Sequence, residues 1–268
     1  MRRIFAAALF LLLPPAGALA AAPPTVQLED LTWTELRAAI AAGKTTVIIP
    51  SGGTEQNGPL MALGKHNVRV RALAGKIATE LGNALVAPVL AYVPEGNISP
   101  PTEHMKFPGT ITVSDQTFEE ILGSAGRSLK LAGFTDIVLI GDHGGYQKDL
   151  LIVAEKLNKE WAGTPVRAHA VEEYYRSSLG DYAHALLSHG ARQRDIGTHA
   201  GLADTSLMLA VDPALVRIPQ LQAGNPPGTA DGVYGGDPSG ATVEFGQLGV
   251  DLIVANTVQA VRKATMRH

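Results

Sequence analysis

Ile137-Val138-Leu139-Ile140-Gly141-Asp142-His143-Gly144-Gly145 carries four consecutive aliphatic residues straight into an acid and an imidazole flanked by glycines. A short apolar run bounded by glycine reads as a strand buried on both faces. Thr45-Thr46-Val47-Ile48-Ile49 has the same character and is stopped by Pro50 and Gly52-Gly53. Helical patterns lie around these two runs. Thr32 caps a helix to about Ala42, and Asn67 caps one over 68–81. Ser114, Asp115 and Thr117 open another that runs to Leu131 and is closed by Gly133, and 241–264 carries the last long helix. Strands are expected over 84–92 and 166–171, and a Pro- and Gly-rich loop over 94–109. Short apolar strands alternating with amphipathic helices predict an α/β fold with a mostly parallel sheet. No repeat and no linker interrupts the pattern, so residues 31–268 read as one domain. In such folds ligands gather beyond the carboxyl ends of the strands. The loops after Ile49 and Ile140 both fall there.

Composition narrows the chemistry. The 268 residues carry 22 Lys plus Arg against 25 Asp plus Glu, a formal charge of −3 and a pI near 6.2. A nucleic-acid partner is not expected without a basic surplus. There is no cysteine, so disulfides, thiolate metal sites and cysteine nucleophiles are excluded, while eight histidines remain as nitrogen donors. Arg2-Arg3, the apolar run Ile4–Leu13 and Ala18-Leu19-Ala20 form the three regions of a signal peptide over 1–20. Residues 21–30 are a Pro- and Ala-rich lead-in. The mature protein is therefore expected to be exported to the periplasm or medium and not to remain in a membrane. Arg2-Arg3-Ile4-Phe5 also partly resembles a twin-arginine signal.

Several common motifs fail. Gly43-Lys44-Thr45 precedes a strand and lacks the upstream glycine of a phosphate-binding loop, and Gly141–Gly145 is not G-x-G-x-x-G. Neither a G-x-S-x-G elbow nor an H-E-x-x-H helix is present. Three polar segments remain: Glu55-Gln56-Asn57-Gly58 with His66, Asp142-His143-Gly144-Gly145, and His199-Ala200-Gly201-Leu202-Ala203-Asp204-Thr205-Ser206. Each pairs carboxylates or imidazoles with glycine, and such donors suit zinc and other divalent ions.

Together with Glu103-His104-Met105-Lys106-Phe107-Pro108-Gly109-Thr110, these segments resemble, in order, four motifs of the creatininase (creatinine amidohydrolase) family. They are similar to its G-S-x-E-Q-H-G-P loop, its E-H-x-x-F-P-G-T segment, its N-G-H-G-G-N turn and its H-A-G-x-x-E-T-S stretch. The resemblance implies a three-layer α/β/α sandwich and a metal-dependent amidohydrolase acting on non-peptide C–N bonds of small or cyclic amides. It implies metal ligation by Glu55, His143 and Asp204, catalysis by His199, and assembly into a homo-oligomer, hexameric in relatives. The departures are specific. Asn57 and Leu60 replace histidines, His66 stands where the family has a metal-bridging aspartate, Gly145 replaces a creatininase glutamate although many relatives have glycine there, and Tyr146 replaces an asparagine. An imidazole offers one lone pair and cannot bridge. The expectation is thus one metal, zinc or else manganese, held by Glu55, His66, His143 and Asp204. Asp142 would either orient a ligand or act as base, with a loop-turn role equally open. Glu103, His104, Tyr146 and Asn57 are candidates to touch the small-molecule substrate. A lactonase, a deformylase, or a ligand-binding protein without catalysis are the alternatives.

Overall fold

A computed structural model describes residues 24–223 and 226–266. The signal peptide read over 1–20, the first residues of the lead-in and His268 lie outside the described residues. The helices in chain order are α1 (Trp33–Ala41), α2 (Lys65–Leu81), α3 (Asp115–Ala132), α4 (Gln147–Glu160), α5 (Glu173–Ser188), α6 (Gln193–Ile196), α7 (Leu202–Val211), α8 (Ile218–Ala223) and α9 (Val243–Thr265). The strands are β1 (Thr46–Ser51), β2 (Ala84–Val86), β3 (Asp136–Gly141), β4 (Arg167–Ala170), β5 (Gly197–His199) and β6 (Tyr234–Gly236).

β2, β1, β3 and β4 form a parallel sheet in that order, with Ile48 opposite Val86 on one side and Val138 on the other. Side chains alternate across a strand, so β1 feeds two cores. Ile48 packs with Val138, Ile140 and the apolar faces of α2, α5, α7 and α9. Val47 and Ile49 pack with Ile137, Leu139, Phe118, Leu122 and Leu157 toward α3 and α4. The result is the three-layer α/β/α sandwich, its sheet covered on both faces. Among the described residues no helix is long and apolar enough to cross a membrane.

Caps place most boundaries where the sequence indicates. Thr32 forms a capping box with Glu35, Ser114 accepts from the Thr117 N–H, and Gly133 closes α3 at φ +113. Two expectations are corrected. β1 does not stop at Pro50 but continues to Ser51. In a parallel strand the N–H and C=O of one residue point the same way, and Pro50 C=O faces Leu90 beyond the end of β2, so its missing N–H costs no ladder bond. Asn67 is not a helix cap. α2 begins three residues earlier than expected, after Gly64, and Asn67 instead accepts from Gly53 N–H at 3.0 Å and donates to Thr54 Oγ1 at 3.0 Å. That earlier start sets Lys65, His66 and Arg69 on the buried face of α2. The lead-in also contributes, since Val26 C=O accepts from Val86 N–H at the sheet edge.

Candidate metal centre

β1 and β3 are neighbours in register, with Ser51 opposite Gly141. The loops that leave their carboxyl ends therefore meet, bringing Glu55 and His143 together. Glu55 is fully buried, and four imidazoles surround its carboxylate. His66 Nε2 lies 2.6 Å and His199 Nδ1 3.5 Å from Oε1; His104 Nε2 lies 3.2 Å and His143 Nε2 3.5 Å from Oε2. Two triads result, Glu55–His66–His143 and Glu55–His104–His199, each with one donor atom per residue within 4.8 Å of the others. The residues flanking two of the histidines carry strained backbone, Glu103 at φ +46 and Ala200 at φ +53. Such conformations persist only where surroundings enforce them, and they cluster at functional sites.

Behind the triads lies a buried ionic network. Asp142 Oδ2 meets His66 Nδ1 at 2.6 Å, Asp142 Oδ1 accepts from Tyr174 Oη at 2.7 Å, and Arg69 Nε donates to both Asp142 oxygens. Arg69 Nη1 donates to Asp204 Oδ1 at 2.7 Å, and Lys65 Nζ reaches Asp204 Oδ2 at 3.1 Å and Glu55 Oε1 at 3.6 Å. On the far side, the Gln56 amide nitrogen contacts His104 Nδ1 at 3.0 Å and His199 Nε2 at 3.2 Å, and Gln56 C=O accepts from His199 Nε2 at 2.9 Å.

These partners set the charge states. Burial opposes ionisation of Glu55, yet His66, Lys65 and His143 hold its carboxyl well below the usual range. Asp142 and Asp204 are likewise held low against burial, by Arg69 and His66 for the first and by Lys65 and Arg69 for the second. Burial pushes His143 down to about 4 and His199 to about 3, the latter helped by Lys65, and it lowers His104 as well. Three of the four rings are thus neutral at pH 7, the form that binds metals.

The donor set fits a divalent metal. Glu55 Oε2 is buried and makes no hydrogen bond, a costly state unless a cation uses it. His66 and His199 each turn their outer nitrogen to an acceptor, Asp142 Oδ2 and Gln56 C=O, the kind of partner that orients a metal-binding imidazole.

The family of creatinine amidohydrolases matches residues 29–261. The chain belongs to the creatinine amidohydrolase family. Its fold and its ligand cluster are those of a metal-dependent hydrolase. The creatinine amidohydrolase of Pseudomonas putida is 28% identical over 262 residues, covering 89% of this chain and 97% of that protein. A mycofactocin precursor peptide peptidase of Mycolicibacterium smegmatis is 28% identical over 184 residues, covering 67% of this chain; the match spans 63% of the relative, under two thirds of its length. Among solved structures, a creatinine amidohydrolase superposes with TM-score 0.74 at 25% identity, covering 92% of this chain and all of that one. A manganese creatininase gives 0.73 at 26% identity, covering 90% and 98%. A creatininase variant of zinc–zinc type shares the fold at 0.69 and 24%, covering 90% and 99%.

The single-metal expectation is overturned. The donors form two adjacent triads that share Glu55, which gives two candidate metal positions instead of one. Position 66 does not need to bridge, because the two oxygens of Glu55 serve both triads.

The structure brings together Glu55, His66 and His143, and it adds His104 and His199, which the sequence reading set against substrate and catalysis. Asp204, expected as a ligand, stands outside both triads with its oxygens taken by Lys65, Arg69 and the Ala200 N–H. Asp142 is not a free base, since its partners are His66, Arg69 and Tyr174, and the ligand it orients is His66. Tyr146 does not face substrate. Its fully buried hydroxyl accepts from Asp142 and His143 N–H and lies 2.8 and 2.6 Å from the carbonyls of Ser51 and Gly52, clamping β1 to β3. Asn57 is also buried, and it staples its own loop by donating to Glu55 C=O and Ala62 C=O. Glu103 is exposed beside the inward-turned His104. Lys65, Arg69 and Glu95, whose Oε2 lies 3.5 Å from His143 Nε2, are additions that the sequence reading missed. A helix start at Gly64 would have placed the first two on the His66 face.

The depressed histidines give a pH prediction for the metal-free protein. Unfolded, these rings take up protons near pH 6.5; folded, His143 and His199 do so only near 4 and 3. Their contribution is therefore complete above about pH 6.5 and lost as pH falls toward 3–4. Urea unfolding of chelator-treated protein is expected to show a loss of several kcal/mol between pH 7 and 4. His143→Gln should flatten that slope; an unchanged slope would show that the ring is not held neutral.

Proposed function

We propose that this chain is an exported metal-dependent amidohydrolase that cleaves the C–N bond of a small, uncharged amide, cyclic or open. The observation that carries the reading is the ring of four imidazoles on the buried Glu55 carboxylate, beside a cavity of about 260 Å³ that His66, His104, His143 and His199 help to line. Divalent ions held by the two triads, zinc or manganese by donor type, would supply Lewis acidity toward a carbonyl oxygen and bring the pKa of a water toward neutrality.

The chain's own residues do the positioning. Asp142 and Arg69 fix the His66 ring, and Gln56 fixes those of His104 and His199. Tyr175, Ser178, Thr198 and Tyr234 line the cavity, with the Ser178 and Thr198 hydroxyls donating to the Tyr175 and Tyr234 carbonyls. Lys65 and Arg69 also reach the lining, but Glu55, Asp204 and Asp142 already neutralise them. The wall thus favours neutral over charged substrates. The volume accommodates roughly ten groups the size of a water, which suits a small ring better than a peptide chain. Export rests on the pattern of residues 1–20, and homo-oligomerisation on the family resemblance.

The test is turnover by purified protein stripped with chelator and reloaded with zinc or manganese. The substrates are creatinine, other lactams and cyclic ureides, N-formyl amides, lactones and short peptides. Hydrolysis of a small amide that vanishes on chelation and returns with metal is the expected result. Preferential cleavage of lactones or of peptides would reassign the bond. Ligand-induced thermal stabilisation without turnover on any substrate would mark a binding protein.

A further inference from the structure

Glu95 stands between Pro94 and Gly96 at the start of the Pro- and Gly-rich loop that follows β2, some forty residues from Glu55 and from His143. It is 2% exposed, and neither carboxylate oxygen makes a hydrogen bond. Folding rarely tolerates a buried, unpartnered carboxyl group without a use for it. Its Oε2 lies 3.5 Å from His143 Nε2, the same nitrogen that stands 3.5 Å from Glu55 Oε2. Two acidic oxygens thus converge on one imidazole nitrogen.

The surroundings are shaped to admit this side chain. Gly53 has φ +147, and a Cβ there would come within 2.5 Å of Glu95 Oε1, so a residue other than glycine would displace the carboxylate. Gly145 borders the same space from the opposite loop. A Cβ at 145 would lie 3.0 Å from the His143 ring and 3.4 Å from the Pro94 carbonyl. A side chain from position 145 would therefore start between His143 and the Pro94–Glu95 loop, and position 145 is where the resemblance puts a glutamate in creatininase.

We propose that Glu95 is a metal ligand, the fourth donor of the Glu55–His66–His143 position, and that it supplies from the 94–96 loop the carboxylate that position 145 lacks. The proposal rests on the metal-hydrolase reading and deepens it by making the two positions unequal. Glu95 beside the Glu55–His66–His143 triad would bring that position to two imidazoles and two carboxylates, the number of donors that a closed zinc site takes. The Glu55–His104–His199 position has three protein donors, the number that leaves a place for water or substrate. One tightly held ion and one exchangeable ion per chain follow from this difference.

The experiment measures metal content by mass spectrometry, together with zinc and manganese affinities by chelator competition, on wild-type protein and on Glu95→Gln. Glutamine keeps the shape of the side chain and removes its charge. Wild-type protein is expected to bind two ions, one tight and one weaker. Glu95→Gln should weaken the tight class by at least about 100-fold, leave the weaker class within about 3-fold, and leave the metal-free melting temperature unchanged or raised. Adding Gly145→Glu to Glu95→Gln should recover about 10-fold or more of the lost affinity. Two ions bound by Glu95→Gln with wild-type affinities would overturn the assignment while leaving the dinuclear centre intact. A metal-free Glu95→Gln protein that melts well below wild type would assign Glu95 to the scaffold and overturn it too. Wild-type protein that binds no ion at all would remove the metal-hydrolase reading itself.

Discussion

Glu55→Ala is expected to abolish both metal positions at once, because this residue alone belongs to both triads. Metal content should fall from two ions per chain to none that survives gel filtration. Hydrolysis should fall on the order of 10³-fold or more, since Lewis-acid stabilisation of several kcal/mol disappears. His143→Ala is the informative contrast. It removes a donor from one triad and should leave the Glu55–His104–His199 ion bound. The metal-free Glu55→Ala protein should also be less stable. His66 Nε2 loses a partner at 2.6 Å and Lys65 Nζ one at 3.6 Å, all of them buried. Removing one partner of a buried ionic cluster typically costs about 3–5 kcal/mol. Lys65 keeps Asp204 at 3.1 Å, so the loss should sit toward the lower end of that range. Metal analysis and chelator-treated urea curves read the two effects separately. A Glu55→Ala protein that retains two ions would refute the shared carboxylate.

The layers of this fold are legible in the sequence because β1 and β3 are continuous aliphatic runs and the long helices carry their own caps and glycine stops. Parallel pairing of β1 with β3 then juxtaposes the loops after them, so Glu55 and His143 can be paired from the sequence alone. His66 was legible through its place after the Glu55 loop, although its helix begins earlier than Asn67 suggests. What the sequence concealed depends on direction. Asp204 falls on the motif position of a ligand, but Arg69 and Lys65, placed on the inner face of α2, claim its oxygens. No spacing rule shows that two cations will face α7. His104 lies in a Pro-rich loop, where a histidine is ordinarily solvated; a single turn at Glu103–Lys106 rotates it onto Glu55. Glu95 shows no signal of its own, since its role depends on loops separated by some forty residues from either partner.

Arg69→Met should be the most destabilising single change on the helical side of the site. Arg69 is 3% exposed and holds both carboxylates behind the metal centre, Asp142 through Nε and Nη2 and Asp204 through Nη1 at 2.7 Å. Methionine preserves much of the volume and removes the charge, leaving two buried acids short of a cation. The expected cost is about 3–5 kcal/mol at pH 7. It should depend on pH in a defined direction. Asp142 and Asp204 are held below their ordinary pKa in the folded protein, so their stabilisation is full above the unfolded pKa and is lost as pH falls through the folded one. Without Arg69 both acids protonate more readily, so the gap between wild type and variant should shrink below about pH 4. Arg69→Lys should recover only part of the loss, because an ammonium cannot engage both acids in the planar fork that Arg69 uses. His66 depends on Asp142 for its orientation, so affinity at the Glu55–His66–His143 position should also drop about 10–100-fold. The Glu55–His104–His199 position, fixed by Gln56 from the other side, should change little. Equal weakening at both positions, or a stability loss that does not vary with pH, would show that Arg69 acts as general packing and not through these two carboxylates.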